Sequence, residues 1–423
     1  MSSSINRVRG TEDALNVTVL NRVISSIASV LHQHGFDEIR TPVLEKTELF
    51  VRAVGTDTDI VSKEMYTFES QSEGSICLRP ELTAPMVRVF YEHGIDAAPW
   101  KVFQFGPAFR HERPQKGRLR QFFTFSVEVM NAQSVGNDIA ALVMFDRMFK
   151  QIGIKDFVLH INFLGVLEDR VQHREALKDF LTVNDATLCE TCRARREKNV
   201  LRVFDCKNAT CQTLYQTAPQ LEEYLCAESK TEWKRIQTDL QLLGVNFILN
   251  PLLVRGLDYY NGVVFEFTSD ALGSQSTFCG GGRYDLSASF GQKNTLPSVG
   301  AGIGFERVCM ILEAQQNPLI MEKDTSSCVA LVPMDPAQEQ AALLLADDLW
   351  RAGLTADVVF DGAGMKQKMR RADKMGAPFV CVLGEREVAA GVASIKNMAT
   401  GETSEVVLRE VATFLMRVLG LKK

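Results

Sequence analysis

The chain has 423 residues, 46% of them hydrophobic, and a mean hydropathy of −0.04, which suits a soluble globular protein of two or three domains. No apolar run approaches the ~20 residues of a membrane-spanning helix, and the polar opening MSSSINRVRGTED lacks the apolar core of a secretory signal, so no membrane association and a cytoplasmic location are expected. A net charge of −5 and a pI of about 5.8 exclude bulk attraction to nucleic acid and leave such contacts to local basic patches.

Val17, Leu20, Val23, Ile24, Ile27, Val30 and Leu31 recur at helical spacing and predict a helix over about 13–33, closed at Gly35. FDEIRTPVLEKTELF reads as a strand broken at Pro42. Glu64–Phe68 and Ser75–Leu78 read as short strands. In RPELTAP, Pro80 forces Arg79 out of helical geometry, and Thr83 is placed to cap the next helix. Glu81 stands at the strand–helix corner, either as a capping acid or aimed into a site.

Trp100–Phe109 is a strand feeding FRHERPQKGRLRQFFTFSVEV, which reads as strand, long loop, strand. Arg110 ends the first strand, so its guanidinium is rigidly aimed and matches two phosphate oxygens. Glu112 can accept from an amine or orient an arginine, Phe122 offers a ring face, and Glu128 shares that face of the returning strand. The loop carries Arg113, Lys116, Arg118 and Arg120, either a solvated basic face or a nucleic-acid contact.

A helix over 138–152 and a strand over 157–161 precede a charged helical stretch, about 164–244. Ten cysteines in such a chain argue for thiols or a metal rather than disulfides. Cys189, Cys192, Cys206 and Cys211 form two close pairs that match a tetrahedral zinc set in number. The second pair has an undiagnostic spacing, and free thiols are the favoured reading over Zn²⁺. Arg193, Arg195, Arg196, Lys198 and Arg202 surround them.

After a strand over 246–249 comes LVRGLDYYNGVVFEF. It sets Arg255, Asp258, Tyr259 and Tyr260 beside Asn261-Gly262, a hairpin-turn signal, followed by a strand of Val263, Val264, Phe265 and Phe267. This is either a polar cluster that holds a small ligand or a buried Arg–Asp pair in an ordinary hairpin. FCGGGRYD reads as a glycine-rich turn. VGAGIGFERVCMIL places Gly300, Gly302 and Gly304 ahead of a helix bearing Arg307, and no alternating strands and helices surround it to suggest a dinucleotide fold. A polar linker follows. Strands over 329–332, 356–360, 379–383 and 393–397 then alternate with helices over 337–352, 365–375 and 409–419, predicting a small α/β domain.

LVRGLDYYNGVVFEF resembles the histidine-specific motif of histidyl-tRNA synthetases, and further motifs of that family follow in order along the whole chain. The resemblance implies an α+β class II fold. A catalytic domain over 1–322, with an antiparallel sheet, flanking helices and the helical insertion, joins through a linker at 323–327 to an anticodon-binding α/β domain over 328–423. The helix and strand near the N-terminus are similar to class II motif 1, which implies a homodimer. Phe109–Val129 is similar to motif 2. It implies that Arg110 holds the α-phosphate of ATP, that Glu112, Gln121 and Phe122 meet the nucleotide, and that Arg113, Lys116 and Arg118 meet the tRNA acceptor stem. Val299–Leu312 is similar to motif 3, implying Gly304 and Arg307 at the nucleotide, with Mg²⁺ on the triphosphate. Arg255 is implied as the catalytic arginine at the α-phosphate. Histidine is implied to lie among Glu81, Thr83, Thr124, Glu128, Tyr259, Tyr260 and Tyr284. Met365–Gly391 is similar to the anticodon-binding domain of several class II synthetases, so Lys366 and Arg370 are implied as further contacts to tRNA(His).

The chain departs from the family at Thr124, where members usually carry Gln, and at Ser126, where they carry Gly. These departures leave open activation of a different amino acid. A regulatory paralogue in histidine biosynthesis is a further alternative, but such proteins lack the C-terminal domain and the phosphate arginines that this chain keeps. The reading requires Arg110, Arg255 and Arg307 to face one cavity.

Overall fold

The computed structural model describes residues 5–56, 58–95, 99–255, 259–321, 328–360 and 364–421. Asp258 and the expected linker at 323–327 lie outside them. The chain divides into two compact units, Met1–Glu322 and Lys323–Lys423.

The first unit begins with α1 (Val17–Gln33), whose Val23, Ile27 and Leu31 are fully buried as the apolar spacing requires. Pro42 separates β1 (Asp37–Glu38) from β2 (Leu44–Lys46), and α2 (Thr47–Val54) follows. β4 (Gly74–Leu78) pairs with both β2 and β3 (Tyr66–Ser70) in a small antiparallel sheet. Next come α3 (Thr83–Glu92), β5 (Trp100–Phe109), β6 (Gln121–Met130), α4 (Gly136–Gln151) and β7 (Phe157–Phe163). The insertion is helical as expected: α5 (Leu167–Val183), α6 (Glu190–Lys198), α7 (Ala209–Tyr215) and α8 (Ala227–Leu242), joined by short 3₁₀ turns. The chain returns through β8 (Ile248–Leu249), β9 (Tyr260–Ser269), β10 (Thr277–Tyr284), β11 (Ser298–Gly304), α9 (Phe305–Ala314) and α10 (Pro318–Met321).

Among the described residues, eight strands of this unit form one sheet in the order β1-β5-β6-β11-β10-β9-β7-β8, antiparallel except where its two short outer strands pair. Phe145 and Phe149 of α4 pack on Phe267 and Phe278 of the sheet, with the Phe149 and Phe278 ring centres 4.8 Å apart. Each such pair adds ~0.5–1.5 kcal/mol beyond its buried area.

Two local expectations are corrected. Asn261-Gly262 is not a hairpin turn: both residues lie inside β9, where Gly262 at φ 53° marks a register shift against Arg283. The positive φ that a turn would use serves a bulge instead. The triplet Gly280-Gly281-Gly282 is not a turn either but the middle of β10, between β9 and β11. Glycine is required there by close approach. A Cβ on Gly280 would stand 2.6 Å from the Arg255 guanidinium, one on Gly281 2.7 Å from the Ala301 Cα, and one on Gly282 2.9 Å from the Tyr260 ring. At Gly281 the obstacle is backbone and cannot swing aside. Gly281→Ala is therefore expected to destabilise the unit by ~3 kcal/mol or more, read as a lowered urea midpoint.

The second unit contains β12 (Val329–Pro333), α11 (Glu339–Arg351), β13 (Ala356–Val358), α12 (Met365–Lys374), β14 (Phe379–Leu383), α13 (Glu385–Ala390), β15 (Val392–Asn397), β16 (Thr403–Val407) and α14 (Val411–Val418). Its mixed sheet runs β13-β12-β14-β15-β16. The sequence pattern misses β16 and α13, a hairpin arm and a short helix with little apolar periodicity. On α12, Lys366 and Arg370 are exposed, but Lys368 is buried and donates to the Pro333 carbonyl at 2.7 Å, so it is not part of the basic face. No helix among the described residues is long and apolar enough to cross a membrane.

Candidate active site

A cavity of about 560 Å³ lies over the first unit's large sheet. Arg110, Arg255 and Arg307 all line it, although they come from the end of β5, the approach to β9 and the first turn of α9. This is the convergence the sequence reading demands.

The corner between β4 and α3 supplies one wall. Arg79 is 2% exposed and donates to the carbonyls of Thr41, Pro42 and Pro107 at 2.9–3.1 Å, pinning the corner. Glu81 then accepts from the Thr83 and Ala84 amides at 2.7 and 2.9 Å. Glu81, not Thr83, caps the helix, because the Thr83 hydroxyl is spent on Glu128 at 2.8 Å. Burial raises the Glu81 pKa against those two amides and Arg110.

At the next wall Arg110 donates from Nε to the Pro80 carbonyl at 2.9 Å and lies 5.5 Å over the Phe122 ring. Glu112 pairs with Arg118, and both line the cavity. Arg307 donates from Nε to the Gly117 carbonyl at 2.9 Å, tying the loop between β5 and β6 to α9, and donates also to the Thr277 carbonyl. Burial lowers the Arg307 pKa, and the neighbouring charges of Arg118 and Arg110 lower it further. Half-buried cations that repel one another favour a polyanion between them.

The third wall is β9 with β10. Arg255 pairs with Glu266, which also accepts from Thr277 Oγ1 at 2.9 Å, and its guanidinium lies 5.9 Å over the Tyr260 ring. Tyr259 and Tyr260, ring centres 4.6 Å apart, line the cavity with Thr83, Thr124 and Ser126. Thr124 donates to the carbonyl of Ile303 at 3.0 Å, and Ser126 to Glu128 at 2.8 Å, so both hydroxyls are turned into the wall.

Several expected site residues stand elsewhere. Glu128 and Tyr284 are 1% exposed and lie behind the cavity wall. Glu128 accepts from Thr83, Ser126 and Tyr284, each at 2.8 Å, and glycine at position 300 leaves room for its carboxylate. Gln121 pairs with Phe109 at the start of β6 and does not line the cavity. Gly304 lines it as the N-cap of α9. Arg113 and Lys116 are exposed on the loop, outside the lining.

The sequence reading missed Glu266, Asp205 and Lys207, and gave Glu306 no role, yet all four line the cavity. Glu266 leaves a trace, as the one acid of its strand, set in the apolar run Val263–Phe267. Glu306 accepts from the Phe123 amide at 2.7 Å, and burial pushes its carboxyl up to about 7. Asp205 and Lys207 come from the insertion, and nothing local marks them.

The histidyl-tRNA synthetase family model matches residues 11–308, and an anticodon-binding domain model matches residues 328–417. The chain belongs to the histidyl-tRNA synthetase family. It is 40% identical to the histidine–tRNA ligase of Fervidobacterium nodosum, over 94% of this chain and 95% of that one. It is 40% identical also to that of Nitratidesulfovibrio vulgaris, over 98% and 99%. The apo Staphylococcus aureus histidyl-tRNA synthetase superposes with a TM-score of 0.80 at 29% identity, covering 97% of this chain and all of that one. The fold is thus the class II fold of a histidyl-tRNA synthetase. Against the family pattern, the hydroxyls at Thr124 and Ser126 bind the sheet and Glu128 rather than facing the space a ligand would fill.

Proposed function

We propose that the chain is a histidine–tRNA ligase. It activates histidine with ATP and transfers the histidyl group to the 3′ end of tRNA(His). The observation that supports this reading is the convergence of Arg110, Arg255 and Arg307 on one cavity that also holds Glu81, Tyr259 and Tyr260. Glu81 receives the amino group of histidine, and the two tyrosines face its side chain. Glu128 positions Thr83, Ser126 and Tyr284 from behind. Arg110 and Arg255 neutralise the charge that develops on the α-phosphate when the histidine carboxylate attacks it, and Arg307 holds the far phosphates. Phe122 and Glu112 border the adenine. Fixed cations act there without reorganisation, so rate comes from positioning and preorganised charge.

Mg²⁺ fits the donor set, since Glu306, next to Arg307 in the cavity lining, adds carboxylate oxygens on the side of the far phosphates. It supplies charge neutralisation on the triphosphate. The exposed Arg113 and Lys116 of the loop reach the acceptor stem, and Lys366 and Arg370 of the second unit contact the anticodon arm. A homodimer through the N-terminal helix and strand is supported by Leu15, Val17, Leu44 and Phe68, large apolar side chains left exposed in and beside that segment. The cytoplasm is the expected compartment.

ATP–pyrophosphate exchange measured with each amino acid tests the reading. Exchange is expected with histidine and not with the others. A response to a different amino acid would assign the altered pocket at Thr124 and Ser126 to that substrate, and no exchange at all would remove the synthetase activity.

A further inference from the structure

The insertion carries a core of its own, apart from that of the sheet, built on Leu177, Leu181, Val203 and Tyr215 around buried cysteines. Cys189 is the N-cap of α6 and Cys192 lies in its first turn. Cys206 ends a 3₁₀ turn, and Cys211 lies in the first turn of α7, which the Asn208 side chain caps by accepting from the Thr210 and Cys211 amides. This cap closes the wide spacing of the second pair. The four sulfurs therefore meet, all within 4.8 Å of one another, and Cys192, Cys206 and Cys211 are buried.

The geometry is that of a metal tetrahedron. A Zn–S bond of ~2.3 Å makes the tetrahedron's edge ~3.8 Å, and the Cys189 and Cys206 sulfurs are 3.7 Å apart. All four cysteines are free thiols. Backbone amides point at the sulfurs as acceptors: Cys189 N–H to Cys211 Sγ at 3.3 Å and Asn208 N–H to Cys206 Sγ at 3.4 Å. Amides arranged in this way stabilise metal-bound thiolates. A cubane iron–sulfur cluster needs its thiolates further apart than these are.

We propose that Cys189, Cys192, Cys206 and Cys211 bind one structural Zn²⁺, and that this ion holds the segment around Cys206 against the active-site cavity. The residues on either side of that ligand, Asp205 and Lys207, are the insertion's contributions to the cavity lining. The basic side chains around the cluster are largely committed to the insertion itself. Arg193 and Arg196 pair with Asp185, and Arg195 donates to the Arg202 carbonyl at 2.9 Å. The insertion's small core accordingly gains its rigidity from a metal, as small domains do when apolar burial is limited. The metal site stands independently of the function proposed above; only its coupling to the cavity rests on that reading.

The test uses the full chain, purified under reducing conditions without chelators or a metal-affinity tag. Elemental analysis is expected to give about one zinc per chain, and replacement by Co²⁺ the visible absorption of a tetrahedral thiolate site. Cys192→Ser is expected to lose the metal and to become cleavable by protease within 185–215. Cys226→Ser, outside the cluster, keeps it. If Cys192→Ser does not fold, Cys189→His serves instead, retaining zinc with a shifted cobalt spectrum. A folded chain without zinc that takes up neither zinc nor cobalt, or one holding iron in its place, overturns the site. Removal of zinc is expected to raise the KM for ATP about five-fold in histidine-dependent exchange. An unchanged KM overturns the coupling, and a zinc-loaded chain inactive with every amino acid overturns the functional reading and not the metal site.

Discussion

Replacing Arg255 by alanine is expected to lower histidine-dependent ATP–pyrophosphate exchange by about three orders of magnitude while leaving the fold intact. On the proposed mechanism the loss belongs in kcat, because the charge that Arg255 would neutralise grows on the α-phosphate only as the carboxylate attacks. The fold survives because Glu266, left without its partner, is 23% exposed and keeps the Thr277 hydroxyl at 2.9 Å, so water can take the vacated place. Gly280→Ala is a companion that leaves the arginine present and moves it. The new methyl would stand 2.6 Å from the guanidinium, the far end of a flexible side chain, so the cost falls on position and not on folding. A fall of about 10- to 100-fold in kcat with a urea midpoint near that of the parent is expected. Near-normal exchange in Arg255→Ala would take this residue out of the mechanism.

Glu128→Gln is expected to change both the pH dependence of stability and the affinity for histidine. Burial pushes the Glu128 carboxyl up to about 7, against the hydroxyls of Thr83, Ser126 and Tyr284 that favour its ionised form. An unfolded glutamate titrates near ~4.3. Between these values the folded chain holds a proton that the unfolded chain has released, so stability declines as pH rises from ~4.3 to about 7. This group's share of the decline is up to ~4 kcal/mol. Glu306, also pushed up to about 7, and Asp138, to about 6, act in the same direction, and the glutamine variant isolates the part due to Glu128. Urea denaturation at pH 5 and pH 8 is expected to show a smaller loss across that interval in Glu128→Gln than in the parent. Equal losses would show that Glu128 does not titrate in this range. At pH 8 the variant also lacks the charge that orders three hydroxyls behind the proposed amino-acid site, so the KM for histidine is expected to rise about ten-fold, with the KM for ATP unchanged.

These two residues show where reading a chain from its letters succeeds and where it stops. Arg110, Arg255 and Arg307 are legible because each sits in a recognisable local setting: a strand end before a basic loop, a polar knot in apolar chain, a helix start after spaced glycines. Glu128 is legible as a member of the right strand face, but its depth is not. Strand alternation assigns a face, and burial depends on what β11 and β10 lay across it, here Gly300 and Tyr284. Thr83 is misread as a cap for a related reason. Sequence places a hydroxyl at a helix start, while the through-space competitor, Glu128, is 45 positions away.

Periodicity and residue chemistry, which act over a few neighbours, were enough by themselves to predict the helices, most strands, a charged helical stretch and the trailing α/β unit, whereas the phosphate roles of Arg110, Arg255 and Arg307 came from the resemblance of their motifs to a family. Only the tertiary structure decided that Gly280, Gly281 and Gly282 are strand and not turn, that Glu266 is the partner of Arg255, that Asp205 and Lys207 reach the cavity, and that the sulfurs of the two cysteine pairs come within 4.8 Å of one another. Each of those depends on which distant segment lies alongside, and that follows from the packing of the whole sheet and not from any window of the chain.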